Sequence, residues 1–237
     1  KPQKLDQFAL GYYTKVKEVK LESEVFYKKI KNRLDYIDGA DLVANDNIET
    51  VILPGISRAY GMELLLRKNS GRHRYWIAYT LSKSEQKTPG RNSNENGINM
   101  SKWYNTPYDK THDFSINSEY NINKKLKIVS NFIFQTGQPT NYPNSQYNYM
   151  NLNVPNYGKR NSQRLPNYHR LDINLTLTPN RNDKKIESSW VFGIYNIYDR
   201  DNASSIIFRR NNETLKNEAV QISIFGIVPS VTYNFKF

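Results

Sequence analysis

The chain has 237 residues, a formal net charge of +12 and no cysteine, and it carries 18 tyrosines, 10 phenylalanines and 3 tryptophans within a hydrophobic content of only 38%. The lack of cysteine excludes a disulfide framework and a thiolate metal site, and no apolar run approaches the roughly 20 residues of a transmembrane helix. Many aromatic but few aliphatic residues are typical of strands that have water on one face and lipid on the other.

The basic charge raises nucleic-acid binding as an alternative. However, the lysines and arginines are spread over many segments and form no single stripe. The densest group, residues 15–31, places its lysines on both faces of an extended strand, because side chains alternate along a strand. We therefore expect no nucleic-acid partner.

Alternating apolar and polar residues predict about ten strands. The predicted strands are residues 7–14, 19–32, 57–68, 72–82, 112–122, 125–135, 170–177, 186–198, 219–224 and 231–237. The clearest is 170–177, in which Leu171, Ile173, Leu175 and Leu177 oppose polar residues. A small hairpin through residues 206–208 is also expected inside the last long connection.

The connections between these strands alternate in length. The short connections are residues 15–18, 69–71, 123–124 and 179–184, and the long ones lie near residues 38–52, 83–111, 136–167 and 199–218. Outer-membrane barrels sort their connections in this way, with short turns in the periplasm and long loops outside the cell. A soluble or surface-attached β-rich binding protein, with the apolar face turned into its own core, is the alternative.

Alternation also assigns polar residues to the inner face of such a barrel. The residues expected to face the lumen are Glu63, Asp113, Glu119, Arg170 and Asp172, with Arg58 and Lys127 nearby. Paired carboxylates could serve a glycosidase, but a polar network along a lumen fits this spread of residues better. The three histidines show no convergence toward a metal site, and we expect them to form structural hydrogen bonds. We predict no catalytic residue, no cofactor and no metal.

Aromatic residues in the long polar loops are the candidates for contact with a ligand or partner, because aromatic rings stack on sugars and anchor proteins. They are Trp103, Tyr104, Tyr108, Tyr142, Tyr147, Tyr149 and Tyr157. The same residues could instead form interface belts or anchor the loops.

Several motifs together resemble the barrel of TonB-dependent outer-membrane receptors of the kind common in Bacteroidetes. They are DQFALGY (6–12), EVFYK (24–28), SRAYGME (57–63), WIAYTLS (76–82), YDKTHD (108–113), FQTGQP (134–139), PNYHRLD (166–172), YNIYDRDN (195–202) and PSVTYNF (229–235). The chain also ends on Phe237 after alternating aromatic residues, as the terminal strands of these barrels do.

The resemblance implies that residues 1–237 are the carboxyl-terminal part of a 22-stranded barrel, with the amino-terminal plug and the first barrel half absent from this chain. It implies uptake of a nutrient such as a metal chelate, glycan or peptide, and location in the outer membrane of a Gram-negative cell. The implied partners are the TonB complex, which acts through the missing plug, a surface lipoprotein, and outer-membrane lipid and lipopolysaccharide. It implies transport and not enzymatic activity.

Overall fold

A computed structural model describes residues 1–43, 45–150, 152–179, 187–211, 213 and 217–236, and all their side chains except those at 148, 152 and 153. Within these residues the regular structure is antiparallel β-strands and two short 3₁₀ turns, Ile48–Val51 and Ile98–Ser101. No helix in the described part of the chain has the length and apolarity needed to cross a membrane. The predicted all-β, antiparallel fold is confirmed.

The strands are β1 (Lys4–Val16), β2 (Val19–Tyr36), β3 (Ile52–Lys68), β4 (His73–Lys87), β5 (Tyr104–Asn105), β6 (His112–Asn121), β7 (Leu126–Gln135), β8 (Pro139–Thr140), β9 (Pro143–Tyr149), β10 (Leu152–Tyr157), β11 (Gln163–Arg164), β12 (Tyr168–Leu177), β13 (Glu187–Tyr195), β14 (Ala203–Arg210), β15 (Asn217–Ser223) and β16 (Val228–Lys236).

One ten-stranded sheet carries the architecture. Its strand order is β1-β2-β3-β4-β6-β7-β12-β13-β16, and the short β5 adds a second pairing to β4. Every neighbouring pair is antiparallel. The sheet is an open wall in which β1 and β16 each pair with one neighbour among the described residues.

The ten strands of the sheet are not the ten that the sequence predicts. The predicted ninth strand, residues 219–224, belongs to β15, which pairs with β14 in a separate hairpin through Ile207 and Val220. The sequence pattern indicates a strand there, but periodicity does not identify the partner strand. Strand β13 pairs directly with β16 instead, and the tenth strand of the sheet is β5, which pairs with β4 and is too short to be recognised from alternation.

Connection lengths alternate as predicted. Turns join β1 to β2, β3 to β4 and β6 to β7, whereas residues 37–51, 88–111, 136–167 and 196–227 form long connections. Gly71 has a φ of 81° in the β3–β4 turn, a conformation that glycine adopts without steric cost. The predicted turn at 179–184 lies outside the described residues beyond position 179, as do positions 186 and 237. We call the two ends of the wall the short-turn rim and the long-loop rim.

The pairing register sorts side chains onto two faces, because directly paired residues share a face. On one face, Leu10 pairs with Val25, Val25 with Met62, and Met62 with Leu81. On the other face, Asn117 pairs with Asn131, and Asn131 pairs with Asp172. We call these the apolar face and the polar face.

Burial distinguishes this wall from a soluble sandwich. The apolar face is open, with Phe8 exposed by 71% and Leu10 by 74%. The buried apolar side chains of the described residues are instead Leu53, Ile98 and Tyr104, near the long-loop rim. A sandwich would bury the apolar face in a core, whereas a membrane wall presents it to lipid.

Strands β2, β3 and β4 extend beyond their predicted ends. β2 has 18 residues, a length of roughly 60 Å at about 3.3 Å per residue, which exceeds the roughly 25 Å apolar band of an outer-membrane barrel. In the extensions apolar and polar residues no longer alternate regularly, as in Ile52-Leu53-Pro54 of β3, while backbone pairing continues through Asp35 and Leu53. The pattern therefore predicts only the part of each strand that carries the apolar band.

We predict that Ile173→Arg destabilises the folded barrel by about 2–4 kcal/mol, because Ile173 lies at the middle of the apolar residues of β12 and a charge there would contact lipid. The free energy of unfolding would be measured by guanidinium titration of the complete receptor in phospholipid vesicles.

The matched control is Val129→Arg. Val129 precedes Ser130, the partner of Ile173, so it lies at the same depth but on the polar face, where it pairs with Glu119. We expect a loss of less than about 1 kcal/mol there, because the new charge lies beside a carboxylate. Equal losses in the two variants would contradict the assignment of the faces.

Candidate functional site

The long connection 88–111 returns to the sheet and buries a tyrosine at the long-loop rim. β5 pairs with β4 through Gln86 and Tyr104, which places both side chains on the polar face. The Tyr104 hydroxyl donates a hydrogen bond to Asp35 at 2.6 Å and accepts one from Gln86 at 3.0 Å, and it lies 2.8 Å from the Thr88 hydroxyl. Burial and the bond to Asp35 raise the pKa of Tyr104, so its hydroxyl remains a proton donor at physiological pH.

Arg160 lies in the connection 136–167 and links this second long loop to the Asp35 carboxylate. Its guanidinium lies 3.0 Å from Asp35, pairs with Asp38 and donates to the Tyr36 carbonyl at 2.6 Å. Its backbone N–H donates to the Asn99 side chain at 2.8 Å, and the Asn99 amide donates to the Arg160 carbonyl at 3.0 Å. The connections 37–51, 88–111 and 136–167 are therefore joined through one arginine.

A second arginine makes a buried ion pair between loops. Asp109 is 1% exposed, and its carboxylate pairs with Arg164 and accepts a hydrogen bond from the Ser84 N–H at 2.6 Å. Arg164 also donates to the Gly137 carbonyl at 2.9 Å. Removing one member of a buried pair leaves an uncompensated charge, so this contact holds the loops in one arrangement.

The structure places the five predicted lumen-facing residues on the polar face. Arg170 pairs with Asp172 at 2.9 Å, and its guanidinium lies 4.0 Å from the centre of the Tyr195 ring. Asp172 also accepts a hydrogen bond from the Asn196 N–H at 3.0 Å. The paired residues Arg170 and Asp172 thus anchor the end of β13 as well as β12.

The three remaining predicted residues differ in their partners. Glu119 lies between Arg74 and Lys127, and Asp113 accepts a hydrogen bond from Gln135 at 2.9 Å. Glu63 is exposed on the polar face and has no ion pair within the described residues. Arg58, expected beside these carboxylates, lies on the apolar face instead, because it pairs with Lys29 and Glu85 in the register of that face.

The loop aromatic residues separate into two groups. Tyr104 is 6% exposed and its hydroxyl holds the loop, as in the alternative of a loop anchor, while ligand contact stays a prediction. Trp103 packs on Arg58 at 4.2 Å, and Tyr108, 50% exposed, accepts a hydrogen bond from Arg33 at 3.2 Å. These three residues lie beside β3 and β4.

The other four aromatic residues lie in the connection 136–167. Tyr147, Tyr149 and Tyr157 belong to the β9–β10 hairpin and are exposed by 56%, 59% and 59%. Tyr142 packs its ring 5.5 Å from that of Phe208 on the β14–β15 hairpin, and burial raises the pKa of its hydroxyl. This contact, beside the start of β9, and the hydrogen bond from Asn217 to Gln146 bring the two hairpins together, although Tyr157 at the end of one and Ala203 at the start of the other are 46 positions apart.

Between these hairpins lies a cleft of about 610 Å³. It is lined by aromatic, amide and basic side chains, and these include Asn144, Gln146, Tyr157, Phe208, Arg209 and Arg210. Asn217 donates a hydrogen bond to Gln146 across it. The sequence analysis expected a small hairpin through residues 206–208 but assigned residues 219–224, its actual partner strand, to the main sheet. It missed the cleft, because no local pattern indicates that two distant hairpins pack together.

The basic side of the cleft contains two arginines that differ in their ion pairing within the described residues. Arg209 forms an ion pair with Glu218 at 3.0 Å, and hydrogen bonds from Asn211 and Arg209 lower the pKa of Glu218. Arg210 forms no ion pair with any residue that the structure describes. The cleft therefore offers one uncompensated cation, several amides and aromatic faces to a solute.

Each of the three histidines lies within hydrogen-bonding distance of one side-chain hydroxyl. His73 lies 2.8 Å from the Ser118 hydroxyl, His112 lies 2.9 Å from that of Tyr79, and His169 lies 2.9 Å from that of Tyr198. Among the residues that are described, no group of three or more histidine or carboxylate side chains could hold a metal ion.

No protein-family model matches the chain, and no curated protein sequence matches it. Solved structures do. The ferric-catecholate import receptor Fiu of Escherichia coli K12 is 17% identical with a TM-score of 0.59, and the alignment covers 99% of this chain and 28% of the receptor. The outer-membrane ferripyoverdine receptor of Pseudomonas aeruginosa is 11% identical with a TM-score of 0.62, at 99% and 27% coverage.

The outer-membrane transporter YddB of Escherichia coli is similar at 12% identity, with a TM-score of 0.53 and coverage of 99% of this chain and 32% of that one. These proteins are two receptors and an outer-membrane transporter. The chain spans less than a third of the length of each. Its sheet therefore has the fold of one part of the barrel of outer-membrane TonB-dependent receptors.

We predict that Tyr104→Phe weakens the local structure of residues 98–109 by about 1–3 kcal/mol, because it removes the hydroxyl that bonds to Asp35 and Gln86 and deprives the buried Thr88 hydroxyl of that hydrogen bond. Hydrogen–deuterium exchange of the complete protein would show faster exchange in that segment.

Tyr108→Phe is the control, because it removes a hydroxyl with one exposed partner, Arg33. We expect a change below about 0.5 kcal/mol there. Similar exchange in both variants would show that the buried network does not hold the loop.

Proposed function

We propose that the chain is the carboxyl-terminal part of the barrel of a TonB-dependent outer-membrane receptor that imports a scarce nutrient. The observation that carries the proposal is the wall itself: nine consecutive antiparallel strands with an exposed apolar face, short turns at one rim and long interlocked loops at the other. Only a membrane requires an apolar face of this extent to remain open.

The orientation follows from the proposal. The short-turn rim lies in the periplasm and the long-loop rim outside the cell, so β1 and β16 both run inward and the carboxyl end is periplasmic. The first and last strands of an antiparallel sheet point in the same direction when the number of strands is odd. The nine strands from β1 to β16 are consistent with this orientation. The polar face, with its Arg170–Asp172 pair, then lines the lumen that a plug domain occupies.

The transported solute meets the long-loop rim first. Fiu and the ferripyoverdine receptor are described as receptors for iron chelates, and the present chain shares their fold. We propose a nutrient such as a metal chelate, glycan or peptide, taken up in dependence on TonB, with the cleft between the β9–β10 and β14–β15 hairpins as an early contact. A surface lipoprotein of the kind that partners Bacteroidetes receptors would cover this rim. We propose transport and no catalytic step.

The test is uptake by cells. A strain lacking the gene, the complemented strain and a complemented strain lacking TonB would each be supplied with one limiting nutrient: a ferric chelate, cobalamin, an oligosaccharide or a peptide. We expect loss of uptake of one class on deletion, recovery on complementation and loss again without TonB. Uptake that is unaltered for every class, or a protein found in the soluble fraction, would contradict the proposal.

The same assay tests the exposed tyrosines of the β9–β10 hairpin, of which Tyr157 lines the cleft. Replacing Tyr147, Tyr149 and Tyr157 by alanine should raise the half-saturating nutrient concentration roughly tenfold or more, because exposed aromatic faces are lost from the first contact. Tyr120→Ala is the control, since Tyr120 is exposed by 44% on the apolar face near the opposite rim. Unchanged half-saturation in the triple variant, at equal receptor abundance, would remove these tyrosines from the site.

A further inference from the structure

The cleft between the β9–β10 and β14–β15 hairpins is bordered by the edges of two strands. Residues 143–146 of β9 and residues 208–210 of β14 all line it. Successive side chains of a strand point to opposite faces, so an unbroken run of residues borders one cleft only where the edge of the strand faces it. The cleft therefore meets the backbone of these strands as well as their side chains.

The strand edges beside the cleft have no partner strand within the described residues. β9 pairs with β10, β14 pairs with β15, and each hairpin is a separate two-stranded sheet. The outer N–H and C=O groups of an edge strand are a template for another extended chain. Four residues of β9 at about 3.3 Å each give a border of roughly 13 Å, which matches an added strand of about four residues.

One end of the cleft is cationic. Asn217 donates a hydrogen bond to Gln146 there, so the two hairpins meet and a bound chain would stop. Arg210 lies at this end, because it pairs with Asn217 in the register of β14 and β15. It forms no ion pair within the described part of the chain, and a guanidinium holds a carboxylate through two parallel hydrogen bonds. This end of the cleft therefore fits a carboxylate at the end of a chain.

The other end of the cleft is apolar and aromatic. Tyr157 pairs with Pro143 there, three residues along β9 from Gln146. Phe208 lies two residues before Arg210 on the same face of β14, a separation of about 7 Å. The Tyr157 and Phe208 side chains are exposed by 59% and 43%. A bound chain would therefore place the side chain about two residues before its carboxylate against these rings, which favours an apolar or aromatic residue there.

We propose that the cleft binds the carboxyl-terminal end of a short peptide, held in an extended conformation along the edge of β9 with its terminal carboxylate on Arg210. The inference rests on the proposed function and selects the peptide among the nutrient classes named there. A neutral glycan would leave the cation unpaired, and a compact chelate would make no use of the strand edge. The volume of about 610 Å³ suits a small ligand and excludes a folded protein.

The experiment is calorimetric titration of the complete protein in detergent. The probe is N-acetylated alanyl-phenylalanyl-alanyl-alanine with a free carboxylate, compared with the same peptide as its carboxyl amide. We expect the amide to bind more weakly, on the order of tenfold or more, because it loses the charge-assisted bonds to Arg210.

A form of the acid that is methylated on every backbone nitrogen tests the strand pairing. It should bind roughly tenfold more weakly or worse, because an added strand needs its N–H groups. Equal binding of the methylated and unmethylated acids would overturn the pairing with β9.

The variant Arg210→Gln separates recognition of the carboxylate from a general loss of structure. We expect it to bind the acid and the amide with similar affinity, whereas a loss of structure would weaken both and keep their ratio. The matched control is Lys102→Gln, which removes an exposed positive charge from the connection 88–111, outside the lining of the cleft. It should keep the preference for the acid.

Two results would overturn the carboxylate assignment: equal binding of the acid and the amide by the unaltered protein, or an undiminished preference for the acid in Arg210→Gln. The outcome is separable from that of the uptake test. Uptake of a chelate or an oligosaccharide through TonB, without binding of the peptide acid, would overturn the peptide assignment and leave the transport function. Peptide binding that depends on Arg210, without uptake of any nutrient class, would support the cleft and remove the transport function.

Discussion

Backbone hydrogen bonding is the constraint on which this structure depends. A chain in contact with lipid has no water to satisfy its N–H and C=O groups, so each strand must pair along its full length with its neighbours. Among the described residues, the antiparallel order β1-β2-β3-β4-β6-β7-β12-β13-β16 gives every inner strand a partner on each side, and only β1 and β16 have one neighbour. The same pairing aligns residues in rows, and the rows create an open apolar face and a polar face without any packed apolar core in the wall.

The long-loop rim meets a different physical requirement. Loops as long as 136–167 lose much conformational entropy when they are held in place, and few apolar residues there can compensate. Charged and buried polar contacts do so instead: Arg160 joins three connections through Asp35 and Asn99, and Arg164 pairs with the buried Asp109. These contacts fix the base of the loops next to the sheet, while the β9–β10 and β14–β15 hairpins remain exposed above them. Rigid anchorage at the base and exposed aromatic residues at the tip suit a surface that captures solutes.

The two faces also explain where charge is tolerated. On the polar face, carboxylates such as Asp172 and Glu119 lie beside arginine or lysine. On the apolar face, charge is confined to the rims, and at the long-loop rim of β1–β4 it is mainly positive. Neighbouring strands neutralise part of that charge, because Lys31 pairs with Asp6 and Arg58 pairs with Glu85.

Alternation in the sequence alone determined the long strands of the wall and the sorting of short and long connections. It also determined the faces of residues such as Ile173 and Asp172. These features are local, because successive side chains of a strand point to opposite faces and turns depend on a few adjacent residues. It could not determine that residues 219–224 pair with β14 instead of joining the sheet, since strand partners are chosen by tertiary contacts. It placed Tyr104 among exposed contacts and Arg58 beside the polar-face carboxylates, whereas pairing with β4 buries Tyr104 and turns Arg58 to the apolar face. The cleft between two distant hairpins arises only when residues far apart in sequence become neighbours, and that is decided by the tertiary structure.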